Sequence, residues 1–134
     1  MKNRRLKKIL CAEDEDDLRE ILEMSLQGTG GLSVRACATG EETIAAVRDG
    51  FQPDLLLLDI MIPDMNGLQI LAELRKLPAT AKTPAVFITA RAQPHELEEY
   101  KKAGASEILT KPFDPMALPE VLQKIYANLD DEPK

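Results

Sequence analysis

Tryptophan is absent from this chain, and aromatic side chains make up only 4% of its 134 residues. The core therefore has to be aliphatic, and stacking on nucleic-acid bases lacks the rings it needs. Histidine occurs once and cysteine twice. Cys11 and Cys37 stand too far apart for a metal knuckle or a redox pair, and both fall in apolar stretches, so they read as reduced core thiols. No apolar run approaches the ~20 residues of a membrane span, and the N-terminus lacks the apolar centre of a signal peptide. A soluble, cytoplasmic chain without a membrane partner is expected. Basic charge is scarce outside one short segment. Lys2, Arg4, Arg5, Lys7 and Lys8 have no acid among them, and setting those five aside leaves 12 of the 17 basic residues against 23 acids. So acidic a body disfavours a phosphate backbone, so no direct contact with nucleic acid is expected.

What the chain does have is alternation. Apolar runs read as strands at Leu6 to Ala12, Leu32 to Ala38, Asp54 to Leu58, Pro84 to Thr89 and Glu107 to Thr110. Between them lie helical stripes: Leu18, Ile21, Leu22, Ser25 and Leu26, stopped by Gly28 to Gly31; Ile44 and Val47, opened by the capping-box sequence Thr39-Gly40-Glu41-Glu42; Leu68, Leu71, Leu74 and Leu77 before Pro78; and Leu97 with Tyr100, from Pro94 to Gly104. A last helix carries Val121, Leu122, Ile125 and Leu129. Five strand–helix units predict an α/β fold, a doubly wound parallel sheet with helices on both faces. The length suits one domain, with a core of about 7–129, a basic arm over 1–6 and an acidic tail over 130–134.

In a parallel sheet the strand C-termini converge, and ligands bind in the crevice outside them. Polar residues collect there. Four leucines, Leu55 to Leu58, run into Asp59; Glu13 and Asp14 follow the first strand; Thr89 ends the fourth; Lys111 follows the fifth. Three carboxylates in one pocket repel one another unless a cation neutralises them. Mg²⁺ suits an all-oxygen set and tolerates phosphate oxygens as further ligands. One carboxylate can then attack phosphorus, with Lys111 as a point charge and Thr89 as a hydroxyl donor for phosphoryl oxygens.

These stretches resemble the receiver domain of two-component response regulators, the CheY-like family. The resemblance rests on Ile9-Leu10-Cys11-Ala12-Glu13-Asp14-Glu15, on Leu57-Leu58-Asp59-Ile60-Met61-Ile62-Pro63-Asp64-Met65-Asn66-Gly67, on Phe87-Ile88-Thr89-Ala90, and on Ala103-Gly104-Ala105-Ser106 through Lys111-Pro112-Phe113. It implies a flavodoxin-like five-stranded sheet of order 2-1-3-4-5 with five helices. It also implies Asp59 as the phosphorylated residue and Glu13 and Asp14 as metal-site acids. Met61 would give its backbone carbonyl to Mg²⁺, Thr89 would be the switch hydroxyl and Lys111 its ion-pair partner. A cis Lys111-Pro112 bond is implied as well. The implied donor is a sensor histidine kinase or a histidine phosphotransfer protein. The implied output is a downstream protein, or a phosphorylation-dependent homodimer, on the face of the fourth helix, fifth strand and fifth helix.

Three departures from the family pattern stand out. Glu13 replaces the more usual aspartate. Ile108 stands where an aromatic switch residue is common, so no ring at that position can report phosphorylation. Pro119 lies where the last helix should run, and is easiest to place in the first turn of a helix starting near Leu118. Asp64 reads as a loop-shaping residue, and Arg91 as a residue flanking the site entrance. His95 reads as a surface residue rather than a phosphodonor, and Tyr100 and Tyr126 as partly buried packing residues. Two other functions compete. An aspartate-nucleophile phosphatase of the haloacid-dehalogenase type needs a second aspartate where Met61 stands. A receiver-fold interaction module that takes no phosphate would be favoured by loss of a site residue, and none is lost. The expected protein is a phospho-acceptor that promotes only its own phosphorylation and dephosphorylation, not an enzyme acting on a separate substrate.

Overall fold

A computed structural model describes residues 5–90 and 93–130. Lys2 and Arg4 of the basic segment, Arg91 and residues 131–134 of the tail lie outside the described residues. The strands are β1 (Lys8–Ala12), β2 (Ser33–Cys37), β3 (Leu55–Asp59), β4 (Ala85–Thr89) and β5 (Glu107–Thr110), and the α-helices are α1 (Asp16–Glu23), α2 (Gly40–Arg48), α3 (Gly67–Leu74), α4 (Pro94–Lys102) and α5 (Leu118–Asp130). All strand pairs are parallel, and the order is β2-β1-β3-β4-β5. This is the doubly wound, flavodoxin-like sheet expected.

Period-two alternation sorts the central strands between two cores. Leu10, Ala12, Leu56, Leu58, Ala85 and Phe87 pack with Ile44 and Val47 of α2, with Ile70, Leu71 and Leu74 of α3, and with Tyr100 of α4. Ile9, Cys11, Leu55, Leu57, Val86 and Ile88 pack on the other face with Leu22 of α1 and with Leu118, Leu122 and Tyr126 of α5. The four leucines of β3 are buried because both faces of the sheet are covered. Leu6 is buried too, so it belongs to the packed body rather than to the arm. Cys11 and Cys37 are both free and buried, and burial raises both thiol pKa values.

The helices carry most of the differences from expectation. α1 is shorter than its stripe suggests, because the chain continues into a π-helical segment, Met24–Thr29. There Gly30 N–H donates to Ser25 C=O at 3.0 Å, five residues back. The Ser25 hydroxyl donates to the Pro115 carbonyl at 2.6 Å, which fixes the wide turn against the segment preceding α5. Ile21, in the regular helix before this segment, sits exposed rather than inward. Gly31 closes this segment at φ +67°, a left-handed conformation that suits glycine. α5 starts at Leu118 with Pro119 as its second residue, where the missing N–H costs no helical bond. Tyr126 is fully packed in the core, not partly.

At α2 the Thr39 side chain caps Glu42 N–H at 3.0 Å, but Glu42 reaches back to Ala38 N–H, one residue before the usual capping-box position. The remaining first-turn donors are met from another part of the chain. Asp64 Oδ1 accepts from Gly40 N–H at 2.9 Å and Oδ2 from Glu41 N–H at 3.1 Å. Those backbone bonds hold the Asp64 pKa below the usual carboxylate value. Asp64 does shape its loop, by anchoring the segment between β3 and α3 to the start of α2. Asp64→Ala should therefore lower the unfolding free energy by about 1 kcal/mol, the usual cost of a lost helix cap. Urea denaturation of the two proteins measures the difference.

Candidate functional site

The topology splits between β1 and β3: α1 leaves β1 toward one face, and α3 leaves β3 toward the other. The crevice at their C-terminal ends is where such sheets hold ligands. Glu13 continues β1, with its N–H donating to the Cys37 carbonyl at 2.9 Å, and Lys111 continues β5, donating to the Thr89 carbonyl at 2.9 Å. Both keep the strand alternation, so Glu13, Asp59 and Lys111 fall in phase with Cys11, Leu57 and Leu109 on the α1–α5 face. Thr89 is in the opposite phase, that of Phe87.

The geometry brings the acids together. One carboxylate oxygen from each of Glu13, Asp14 and Asp59 lies within 4.8 Å of the others. Glu13 and Asp59 are buried and Asp14 is exposed, so the cluster opens to solvent on one side. Asp59 Oδ1 accepts from Met61 N–H at 2.9 Å, and Oδ2 accepts from Lys111 Nζ at 2.7 Å. Lys111 Nζ also lies 3.3 Å from Glu13 Oε1, without the angles of a hydrogen bond. Glu13 Oε1 is thus a buried oxygen with no hydrogen-bond partner, while Oε2 accepts from Glu15 N–H at 3.1 Å.

Charge follows this geometry. Burial first, then the neighbouring Asp59 carboxylate, pushes the Glu13 carboxyl up to about 7. Burial lowers the Lys111 pKa, but the bond to Asp59 and the charges of Asp59 and Glu13 outweigh it and leave the ammonium above its usual value. Three oxygen donors, one of them a buried carboxyl reluctant to ionise and with an oxygen that accepts no hydrogen bond, fit a hard cation. Met61, expected to offer its carbonyl, is 71% exposed.

Local packing holds the loop after Asp59. Gly67 opens α3 and donates its N–H to the Ile60 carbonyl at 3.0 Å. A Cβ there would stand 2.9 Å from the Asp59 carbonyl oxygen and 3.1 Å from Ile60 Cα, so only glycine allows that approach. Asn66 and Gln69 form a complete capping box at the same helix start, a signal the sequence carries as Asn-x-x-Gln. Thr89 is buried at the end of β4, where Asp59 pairs in register with Ile88. Lys111-Pro112 is cis. His95 is exposed at the start of α4.

Sequence reasoning missed Arg19. It sits in the first turn of α1, where a cation opposes the helix dipole, and its guanidinium turns back onto the loop that carries Glu13 and Asp14.

Comparison with known proteins agrees with this geometry. The family model for the response regulator receiver domain matches residues 9–123. The DNA-binding response regulator MtrA of Mycobacterium tuberculosis is 34% identical over 129 residues, 94% of this chain and 53% of that protein. The phosphate regulon transcriptional regulatory protein PhoB of Rhizobium meliloti is 32% identical over 124 residues, 92% of this chain and 52% of that one. The chain thus spans about half the length of these curated relatives. Among solved structures, the chemotaxis response regulator CheY4 of Vibrio cholerae superposes with a TM-score of 0.81 at 28% identity, over 90% of this chain and 98% of that one. A CheY-like receiver domain protein from Methanospirillum hungatei gives 0.81 at 27% identity, over 96% and 99%.

Proposed function

The chain belongs to the response regulator receiver-domain family of two-component signalling, and from that premise we propose that it is a phosphoryl-accepting switch with Asp59 as the acceptor. The observation that carries this reading is the Asp59 carboxylate, buried beside two further acids and bonded to Lys111. A carboxylate oxygen of Asp59 attacks the phosphorus of a phosphohistidine on a sensor kinase or phosphotransfer protein. The P–O bond forms as the P–N bond breaks, and the departing imidazole nitrogen keeps the electron pair and takes a proton. Lys111 holds the carboxylate in place and stabilises phosphoryl oxygen charge. Glu13, Asp14, Asp59 and the Met61 carbonyl are the groups that would hold Mg²⁺. The ion supplies positive charge against the phosphoryl oxygens. Met61 has no proton to exchange, which disfavours an aspartate-nucleophile phosphatase.

For the output we propose a route through α4, β5 and α5. Thr89 shares its phase with Phe87, whose ring meets Tyr100 of α4 edge-on at 5.8 Å and 88°. Phe87 pairs in register with Ile108. With no ring at Ile108, a shift of Thr89 toward the phosphoryl group reaches α4 through the Phe87–Tyr100 contact. The face then engages a downstream protein or a second copy of the chain. On this reading the receiver domain works in the cytoplasm, its acidic body makes no direct contact with nucleic acid, and it is not an enzyme acting on a separate substrate.

Intact mass after incubation with Mg²⁺ and acetyl phosphate tests the acceptor. One added phosphoryl group is expected, absent from Asp59→Asn and from a metal-free control. No addition to the folded wild-type protein, with Mg²⁺ binding confirmed, would move the reading to a phosphate-independent interaction module.

A further inference from the structure

We infer that Arg19 is a positioning residue for the cation-binding carboxylates, a clamp on the backbone of the loop between β1 and α1. The inference rests on the acceptor reading above, because it concerns the same acids. The guanidinium makes two bonds into that loop and a third to the first residue of α1. Nη1 donates to the Glu13 carbonyl at 3.0 Å and, at a longer 3.4 Å, to the Asp14 carbonyl. Nη2 donates to Asp16 Oδ1 at 2.6 Å. The Arg19 backbone N–H donates to the Glu15 carbonyl at 2.9 Å. One residue therefore bonds to each of residues 13 to 16.

The contacts suit arginine in particular. A planar fork with several fixed donors can meet two carbonyls and a carboxylate together, whereas a lysine ammonium is a single point on a flexible stem. The Arg19 side chain is only 22% exposed, so the fork is held against the loop rather than waving in solvent. Asp14 lies beyond the end of β1 and before the start of α1, and no hydrogen-bond ladder fixes it. Groups that orient metal ligands from behind are worth about 10–100-fold in metal affinity.

Electrostatics and positioning predict opposite signs, which makes the inference testable. Removing a positive charge from the loop that carries two of the carboxylates should by Coulomb's law tighten a divalent cation. Removing a clamp should loosen it. Mn²⁺ is the probe, its free concentration read by electron spin resonance, titrated into the full chain at about pH 8. Wild type, Arg19→Ala and Arg19→Lys are compared, with circular dichroism confirming the fold at the titration temperature. The expected result is Mn²⁺ binding by wild type and binding weaker by about tenfold or more in both variants, although Arg19→Lys keeps the charge. Arg19→Ala binding as tightly as wild type, or more tightly, overturns the clamp alone. So does Arg19→Lys binding like wild type, since charge rather than the fork would then suffice. Should Arg19→Ala fail to fold, Arg19→Lys carries the test. Wild type that binds no Mn²⁺ overturns the cation site itself, and this inference falls with it.

Discussion

Lys111→Ala is expected to lower the unfolding free energy of the metal-free protein at about pH 8 by roughly 2–4 kcal/mol, and to slow phosphoryl uptake by about a hundredfold or more. Lys111 Nζ lies 2.7 Å from Asp59 Oδ2 and 3.3 Å from Glu13 Oε1. Its removal leaves two buried carboxylates facing each other with no counter-charge. Taking one partner from such a set costs far more than the ~0.5 kcal/mol of an exposed pair, because the remaining charges stay desolvated. At about pH 5 the penalty should shrink, since Glu13 takes up a proton there and only Asp59 needs the ammonium. Urea denaturation at both pH values, with a mass time course in acetyl phosphate, measures the two effects. A stability change no larger than that of an exposed pair would show that Lys111 does not neutralise the site.

The second large effect is the pH dependence of the metal-free wild type. The Glu13 carboxyl has an unfolded value of 4.5 and a folded value of about 7. Between these values the native protein holds a proton that the unfolded chain has released, so stability falls as pH rises. The stabilisation from the protonated form is complete below about pH 4.5 and gone above about pH 7, an upper limit of about 3 kcal/mol for this group. Mg²⁺ should act in the opposite sense. It needs the ionised carboxylate, so its affinity rises with pH and its stabilising effect is larger at about pH 8 than at about pH 5. Thermal melts across that range, with and without Mg²⁺, test both slopes. Glu13→Gln should flatten the metal-free slope and weaken the Mg²⁺ effect. A wild-type slope unchanged by that substitution would place the titrating proton elsewhere.

The sheet and the site gathering at its edge were legible for one reason: burial on both faces writes strands as uninterrupted apolar runs, and polar residues mark where they surface. Leu55 to Asp59 is the clearest case. The strand order was not legible that way, since periodicity gives each strand its faces but no neighbour; it came from the resemblance. What the sequence concealed depends on contacts between distant segments. Asp64 caps α2 from 24 positions away, and no local pattern announces that. The π-helical turn at Met24–Thr29 depends on Ser25 meeting the Pro115 carbonyl. Ile21, placed inward by a helical stripe read at uniform period, is exposed instead. Arg19 was visible only as a cation in a helix turn that favours acids, a local conflict that the backbone carbonyls of Glu13 and Asp14 resolve.

The central claim is that Asp59 forms an acyl phosphate, and reduction with borohydride tests it most directly. An aspartyl phosphate is cleaved by hydride to the alcohol, leaving homoserine in place of aspartate, whereas free carboxylates and phosphoesters are untouched. The protein is treated with Mg²⁺ and acetyl phosphate, reduced, digested and mapped by peptide mass. Homoserine at position 59 and nowhere else is the predicted result. Homoserine at Asp14 or another aspartate, 5-hydroxynorvaline at a glutamate, or phosphate retained through reduction on a hydroxyl such as that of Thr89, would contradict it.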